Sequence, residues 1–267
     1  MKFKLCDAKS LDIVKTFECG QCFRWNANDK GVYTGVVGRY LAEVETVDNE
    51  VYITSDAPAE MWADYFDLAT DYAAVSADFT GEYLHECIDY GMGIRILRQD
   101  SWEALCSFII SQCNNITRIK GIVERLCEQF GDKCEANGVG YYTFPSAERL
   151  AALRPSDLSG IRAGYRAEYI IAAARAVTTG ELNLDALKTC DYREAIKTLR
   201  QIRGVGEKVA NCVVLFGLHH MEAFPIDVWM KRALKEHFPA DFDPTSLGAY
   251  AGLAQQYIFY YSRSGGK

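Results

Sequence analysis

The sequence predicts an α+β fold, with a small antiparallel β-rich domain over residues 1-97 followed by a larger all-helical domain over residues 98-267. Three observations carry this. Between Cys22 and Ser55 the chain runs in short segments, CFRWNA, GVYTGVVG, YLAEVETV and EVYITS, broken at Asn28-Asp29, Gly31, Gly38 and Asp48-Asn49. Alternation with turn residues between the runs is the pattern of an antiparallel meander with one buried face. Beyond Pro58 the apolar spacing becomes helical, first in AEMWADYFDLA, and stays so almost to the end. Finally, 267 residues of which 49% are apolar and 24% charged suffice for one large or two interlocked domains with a substantial core.

The helical part is punctuated in order. Asp100 and Ser101 stand as caps before WEALCSFIISQ, and Pro145-Ser146 and Pro155-Ser156 open two short helices. Gly164, Gly180, Gly204, Gly206 and Gly217 mark turns or helix ends. There is no long internal repeat and no low-complexity linker.

Composition narrows the function classes. A formal net charge of -7 argues against a broadly positive nucleic-acid-binding surface. Any phosphate contact must be local, through helix-start amides and a few placed Arg and Lys residues. Ten cysteines in a chain of this length, behind an N-terminus without an apolar signal core, are expected to be reduced thiols in an intracellular protein. No apolar run reaches the roughly 18 residues of a spanning helix, so no membrane role is expected.

The stretch from Gln201 to Val213, QIRGVGEKVANCV, is the most informative. A helix ending near Ile202, two glycines and a new helix from about Gly206 form a hairpin. Glycines at 204 and 206 tolerate positive φ and close backbone approach, and the new helix directs unpaired N–H groups outward, a phosphate cradle that needs no basic side chain. Val209, Val213 and Phe216 fall on its packed face, with Lys208 and Cys212 one turn apart at the edge of that stripe. Partial desolvation there favours the neutral, nucleophilic amine. On spacing alone, Lys208 is equally well a solvent-facing lysine on a structural hairpin. Downstream, FPIDVWM sets a proline turn before a helix with Asp227 as its N-cap. Capping explains Asp227 completely, and a carboxylate near Lys208 can also stabilise positive charge developing at a sugar C1′.

These residues resemble the helix-hairpin-helix DNA glycosylase superfamily, in which this hairpin is followed by a Gly/Pro-rich loop and an aspartate. The resemblance makes Lys208 and Asp227 the catalytic pair of a bifunctional glycosylase and AP lyase acting through a Schiff base, with no metal or cofactor. Four further segments resemble the 8-oxoguanine glycosylase branch. ECGQCFRW, from Glu18 to Trp25, is similar to its N-terminal motif, in which the carbonyl matching Gly20 accepts the N7–H that only the oxidised guanine carries. In YAGLAQQYIF, from Tyr250 to Phe259, Gln255 matches the residue that bonds the Watson–Crick edge, while Phe259 and Cys212 sandwich the base. Without the resemblance, a Gln and a Phe at i,i+4 are better read as core packing beside a surface amide. SQCNNITR, from Ser111 to Arg118, resembles the segment that fills the gap left by the flipped base; Arg118 and Asn114 match DNA-contacting positions. Cys113 departs from the asparagine expected there. AGYRAEY, from Ala163 to Tyr169, is similar to the motif that supplies a wedging tyrosine, Tyr165, and an arginine facing the opposite strand, Arg166. Gly204, Val205 and Gly206 are the implied phosphate contacts, and Trp229 stands where animal members commonly have histidine. The resemblance runs from about Gly20 to Phe259.

The implied function is excision of 8-oxoguanine from damaged double-stranded DNA by a monomer, in the cytoplasm or nucleoid of a bacterium or in a eukaryotic nucleus. Other damaged bases, or a non-catalytic DNA-binding protein built on the same hairpin, are the alternatives. An iron–sulfur cluster is not expected, because no cysteine follows Cys212 and the C-x6-C pairs Cys106/Cys113 and Cys127/Cys134 do not continue into further ligands. Cys19-Gly-Gln-Cys22 lacks the second ligand pair of a tetrahedral metal site, and His219-His220 has no obvious partner.

Overall fold

A computed structural model describes residues 1–265. The expected meander is present as a five-stranded antiparallel sheet in the order β1-β5-β4-β3-β2. Its strands are β1 (Lys2–Asp7), β2 (Asn26–Ala27), β3 (Tyr33–Val37), β4 (Tyr40–Val47) and β5 (Glu50–Ser55), with the short helix α1 (Ile13–Glu18) between β1 and β2. Ala42 pairs with Ser55 and Val44 with Ile53, so these residues share the buried face while Glu43 and Glu45 face away. Under that face Phe17 stacks on Trp25 at 4.3 Å, and Trp62 and Phe66 close the cluster. Gly35 is required by this packing, because a Cβ there would lie 2.4 Å from the Trp25 ring.

Two sequence expectations change here. CFRWNA is a strand only at Asn26 and Ala27; Cys22, Phe23, Arg24 and Trp25 are consecutively buried. Phe23 packs into the helical core, whereas Cys22 and Trp25 belong to the core beneath the sheet. A segment wedged between two cores buries every residue and cannot alternate. β1 is an additional edge strand whose Lys-Phe-Lys-Leu alternation carries the usual signal.

The helices that follow are α2 (Ala59–Tyr65), α3 (Tyr72–Ala77), α4 (Glu82–Gly91), α5 (Ser101–Ser111) and α6 (Ile116–Phe130). After a hairpin of β6 (Lys133–Ala136) and β7 (Val139–Tyr142) come α7 (Ala147–Ala151), a 3₁₀ turn at Pro155–Ile161, α8 (Arg166–Thr178), α9 (Leu184–Leu187) and α10 (Tyr192–Leu199). The chain continues in α11 (Glu207–Phe216), α12 (Val228–His237), a kinked 3₁₀ segment at Pro244–Tyr250 and α13 (Ala251–Ser264). The hairpin interrupts the all-helical expectation. Asn137 and Gly138 both take positive φ, the geometry of a tight two-residue turn, and Asn-Gly is its visible signal.

α5 is buried along nearly its whole length, from Ala104 to Ile110, and packs against α6, α8, α9 and α11. α2 contributes Trp62 and Tyr65 to the core under the sheet, whereas α3 and α4 contribute Tyr72, Leu84 and Cys87 to the helical core. The two cores are joined by buried polar groups. Arg95 donates to the carbonyls of Phe66, Ser10, Asp67 and Thr70. Arg24 reaches the Tyr142 carbonyl and lies 3.7 Å from Glu103. Burial pushes the Glu103 carboxyl up to about 7, although Arg24 opposes that shift. All ten cysteines are free thiols.

Candidate active site

The hairpin forms as expected, between α10 and α11. Gly204 has φ +86, and a Cβ on it would lie 2.1 Å from the Tyr169 ring, so both its conformation and its contact require glycine. Gly206 differs from the expectation: it is the N-cap of α11 with φ -84 and has open space around it. Only the first glycine makes the turn; the second leaves the helix start uncovered. No side chain caps that start, so the first amides of α11 face outward without an intramolecular partner from the cap residue. Val205 is buried and fixes the turn to the core.

One turn into α11, Lys208 is half-buried at the mouth of a cavity of about 50 Å³. Its Nζ lies 3.3 Å from Ser111 Oγ and 5.5 Å from the centre of the Phe108 ring, both on α5. Cys212, one turn further, is buried against the same cavity. Burial pushes its thiol up, with Lys208 pulling the other way, so it presents a neutral thiol surface.

Asp227 lines the cavity and caps α12 at once. Its Oδ1 accepts from the amides of Trp229 and Met230 at 3.0 and 2.9 Å. Both bonds fall on one oxygen, which leaves Oδ2 uncommitted to the cap.

From α13, Gln255 and Phe259 project into the same cavity, and Gly20 closes it from the loop after α1. Gln255 is 4% exposed, and its Nε2 donates to the Pro225 carbonyl at 3.1 Å. A carbonyl only accepts, so this bond turns the amide over in one sense and leaves Oε1 buried with no partner. An unpaired buried acceptor costs about 1–3 kcal/mol and is a place for a ligand N–H. The side chain is therefore neither core packing nor a surface amide. Phe259 lies over Gly20, its ring 3.4 Å from where a Gly20 Cβ would sit, and the cavity is far smaller than a ligand pocket of several hundred Å³. In this conformation the Phe259 ring occupies the space beside Gly20.

The residues expected to meet the rest of the duplex are arranged differently. Tyr165 is 52% exposed and Trp229 37%, with Arg232 beside the Trp229 ring, and Arg118 is exposed. Asn114 is committed locally: its Nδ2 donates to the Ile110 carbonyl and its Oδ1 accepts from the Asn115 amide. Arg166 departs most from the expectation of a strand-facing arginine. It is 4% exposed and spends its guanidinium on the carbonyls of Gln112, Cys113 and Ala163 while stacking on Tyr165. In this conformation it braces the loop that carries Cys113 and Asn114. Cys113, at the tip of that loop, is exposed with φ +47.

Sequence reasoning missed Phe108 and the partner role of Ser111, which position Lys208, and the Pro225 carbonyl, which orients Gln255. Phe108 sits in the largely apolar stretch ALCSFII of α5 with no local signal. Ser111 opens SQCNNITR, a segment whose later residues carry the resemblance.

Comparison with known proteins places the chain in a family. Residues 4–105 match the 8-oxoguanine DNA glycosylase N-terminal domain, and residues 106–252 match the HhH-GPD superfamily of base excision DNA repair proteins. N-glycosylase/DNA lyase OGG1 of Arabidopsis thaliana is 28% identical over 93% of this chain and 76% of its own length. The structure of MBOgg1 in complex with a low-affinity DNA ligand superposes with a TM-score of 0.92 at 38% identity, covering 100% of this chain and 96% of that one. Clostridium acetobutylicum 8-oxoguanine glycosylase/lyase, bound to double-stranded DNA containing cytosine opposite 8-oxoG, superposes with a TM-score of 0.90 at 34% identity, covering 100% and 99%. The chain belongs to the 8-oxoguanine DNA glycosylase/lyase family, within the HhH-GPD superfamily of base excision DNA repair proteins.

Proposed function

We propose that this protein excises 8-oxoguanine from duplex DNA and then nicks the strand, using Lys208 as nucleophile. The observation that carries the reading is the single cavity into which Lys208, Asp227, Cys212, Gln255, Phe259 and Gly20 converge from four separate parts of the chain. A structural hairpin needs no such convergence.

The first amides of α11 and the Gly204 turn hold backbone phosphate. Exposed Tyr165 and the loop around Asn114 and Arg118 occupy the space the base leaves, offsetting the few kcal/mol of lost stacking. The flipped base lies between the Cys212 thiol and the Phe259 ring. Its pyrimidine edge donates to Gln255 Oε1, and its N7–H donates to the Gly20 carbonyl. Guanine has a lone pair at N7 and would set acceptor against acceptor, an unpaired contact costing about 1–3 kcal/mol.

Chemistry follows from the amine. The Lys208 Nζ lone pair forms a bond to C1′ as the C1′–N9 bond breaks and its electron pair leaves with the base, which takes up the proton the alkylated nitrogen releases. Asp227 Oδ2 stabilises the positive charge on the sugar as that bond loosens. The C1′–O4′ bond then breaks as O4′ takes the remaining N–H proton, which opens the sugar and leaves a Schiff base, and loss of a C2′ proton expels the 3′ phosphate by β-elimination, cutting the strand.

Borohydride trapping tests the reading. Wild-type protein incubated with an 8-oxoguanine:cytosine duplex and borohydride is expected to yield a covalent protein–DNA adduct, and Lys208→Gln none. Wild-type protein that binds this duplex tightly without forming the adduct would overturn the enzyme reading in favour of a binding protein.

A further inference from the structure

The loop that brings Gly20 to the cavity treats its carbonyls unequally. Arg263 Nη2 donates to the Glu18 carbonyl, Gln256 Nε2 to the Cys19 carbonyl at 2.7 Å, and Gln99 Nε2 to the Gln21 carbonyl at 2.8 Å. Among the described residues, the Gly20 carbonyl is the one in this run of four that receives no side-chain donor. Gln21 is fully buried and fastens the loop from below, donating to the Thr16 and Arg95 carbonyls and accepting from the Leu97 amide. The loop is clamped on both sides of a single free acceptor.

Two of the three clamping donors come from α13. Gln256 and Arg263 are seven residues apart and share one face of the helix, while Gln255 and Phe259 share the adjacent one. Gln256 is 1% exposed, so its bond to Cys19 is made away from competing water. One rigid helix thus holds both the base-facing pair and the loop opposite them. Gly20 itself sits at φ +81, a conformation that an unclamped glycine would share with many others.

We propose that Gln256 is a positioning residue for lesion discrimination. By tying the Cys19 peptide to α13, it holds the Gly20 carbonyl at a fixed separation from Gln255, so that a purine is accepted only if its imidazole edge carries an N–H. Gln256 acts through Gly20 and spends its own amide on the protein. The inference rests on the reading of Gly20 as the N7–H acceptor given above.

The test separates base recognition from the lysine's chemistry. Gln256→Met keeps the length of the side chain and removes the donor. Two rates are measured on the full-length protein: single-turnover release of 8-oxoguanine opposite cytosine, and cleavage at a preformed abasic site, where no base enters the cavity. The expected result is a fall of tenfold or more in base release with abasic-site cleavage within twofold of wild type. Unchanged base release, or an equal fall in both rates, overturns the proposal. If Gln256→Met does not fold, Gln99→Met probes the same clamp from the Gln21 side, with the same split expected and the same outcomes against it. Wild-type protein that cleaves abasic sites but leaves 8-oxoguanine in place overturns the substrate reading itself.

Discussion

Around the Lys208 cavity the side chains are held so that reactive or recognising atoms are left over. Gln255 is oriented by Pro225 and keeps Oε1 unpaired, and Asp227 caps α12 with one oxygen and keeps the other. Around the loop from Gln112 to Arg118 the opposite holds. Arg166 is saturated by three backbone carbonyls and Asn114 is bonded at both ends of its amide. Gln255 and Asp227 are thus held with an atom to spare, whereas Arg166 and Asn114 are satisfied internally and would have to exchange those bonds to touch DNA. Preorganisation serves a rate, because donors already aimed need no rearrangement in the transition state. Internal satisfaction serves tolerance, because a bond to DNA made by giving up a bond within the protein discriminates weakly.

The sharpest way to break this comparison is at Asp227. If its free oxygen is preorganised for catalysis, Asp227→Asn should slow base release by about 10²- to 10⁴-fold. Asparagine is as good an N-cap as aspartate, so the melting temperature should hardly move. A rate within threefold of wild type would reduce Asp227 to a helix cap and remove half of the contrast. Lesion-duplex affinity, measured alongside, should change much less than the rate.

A smaller effect separates the two hairpin glycines. Gly204→Ala places a methyl group into the Tyr169 ring at positive φ, and about 2–5 kcal/mol of stability should be lost from strain and overpacking together. Gly206→Ala meets open space at an ordinary φ and should cost no more than about 1 kcal/mol. Chemical denaturation of both variants decides the point, and equal losses would show that the turn depends on both glycines.

What was legible in the sequence was local structure. The hairpin and the proline turn with its capping aspartate were legible from local spacing, but the cavity residues themselves were picked out by resemblance to the glycosylase family. Spacing alone left Lys208 a solvent-facing lysine as readily as a nucleophile, Asp227 a helix cap, and Gln255 and Phe259 core packing beside a surface amide. β4 and β5 were legible because one face of each is buried and the other wet. The internal bonding of Arg166 was not legible because nothing in AGYRAEY distinguishes a guanidinium facing the opposite strand from one buried against carbonyls 54 residues earlier in the chain. The residues 22–25 misled because burial there comes from two cores at once, and Gln256 was invisible because its partner lies 237 residues away.

The weakest expected effect lies at the tip of the braced loop. Cys113 is held at φ +47, a region that asparagine adopts more readily than other side chains bearing a Cβ, because its short amide can bond the local backbone. Cys113→Asn should therefore fold at least as stably as wild type, with a gain below about 1 kcal/mol. The new amide would be exposed at the loop tip, unlike that of Asn114, and free to bond the base opposite the lesion. One such contact in water is worth about 1 kcal/mol, or roughly fivefold, so preference for cytosine over adenine opposite 8-oxoguanine should rise by about that factor. The check is single-turnover excision from duplexes that place each of the four bases opposite the lesion. If the wild type already discriminates as sharply as the variant, opposite-base selection lies elsewhere, with exposed Arg118 and Tyr165 the first residues to examine.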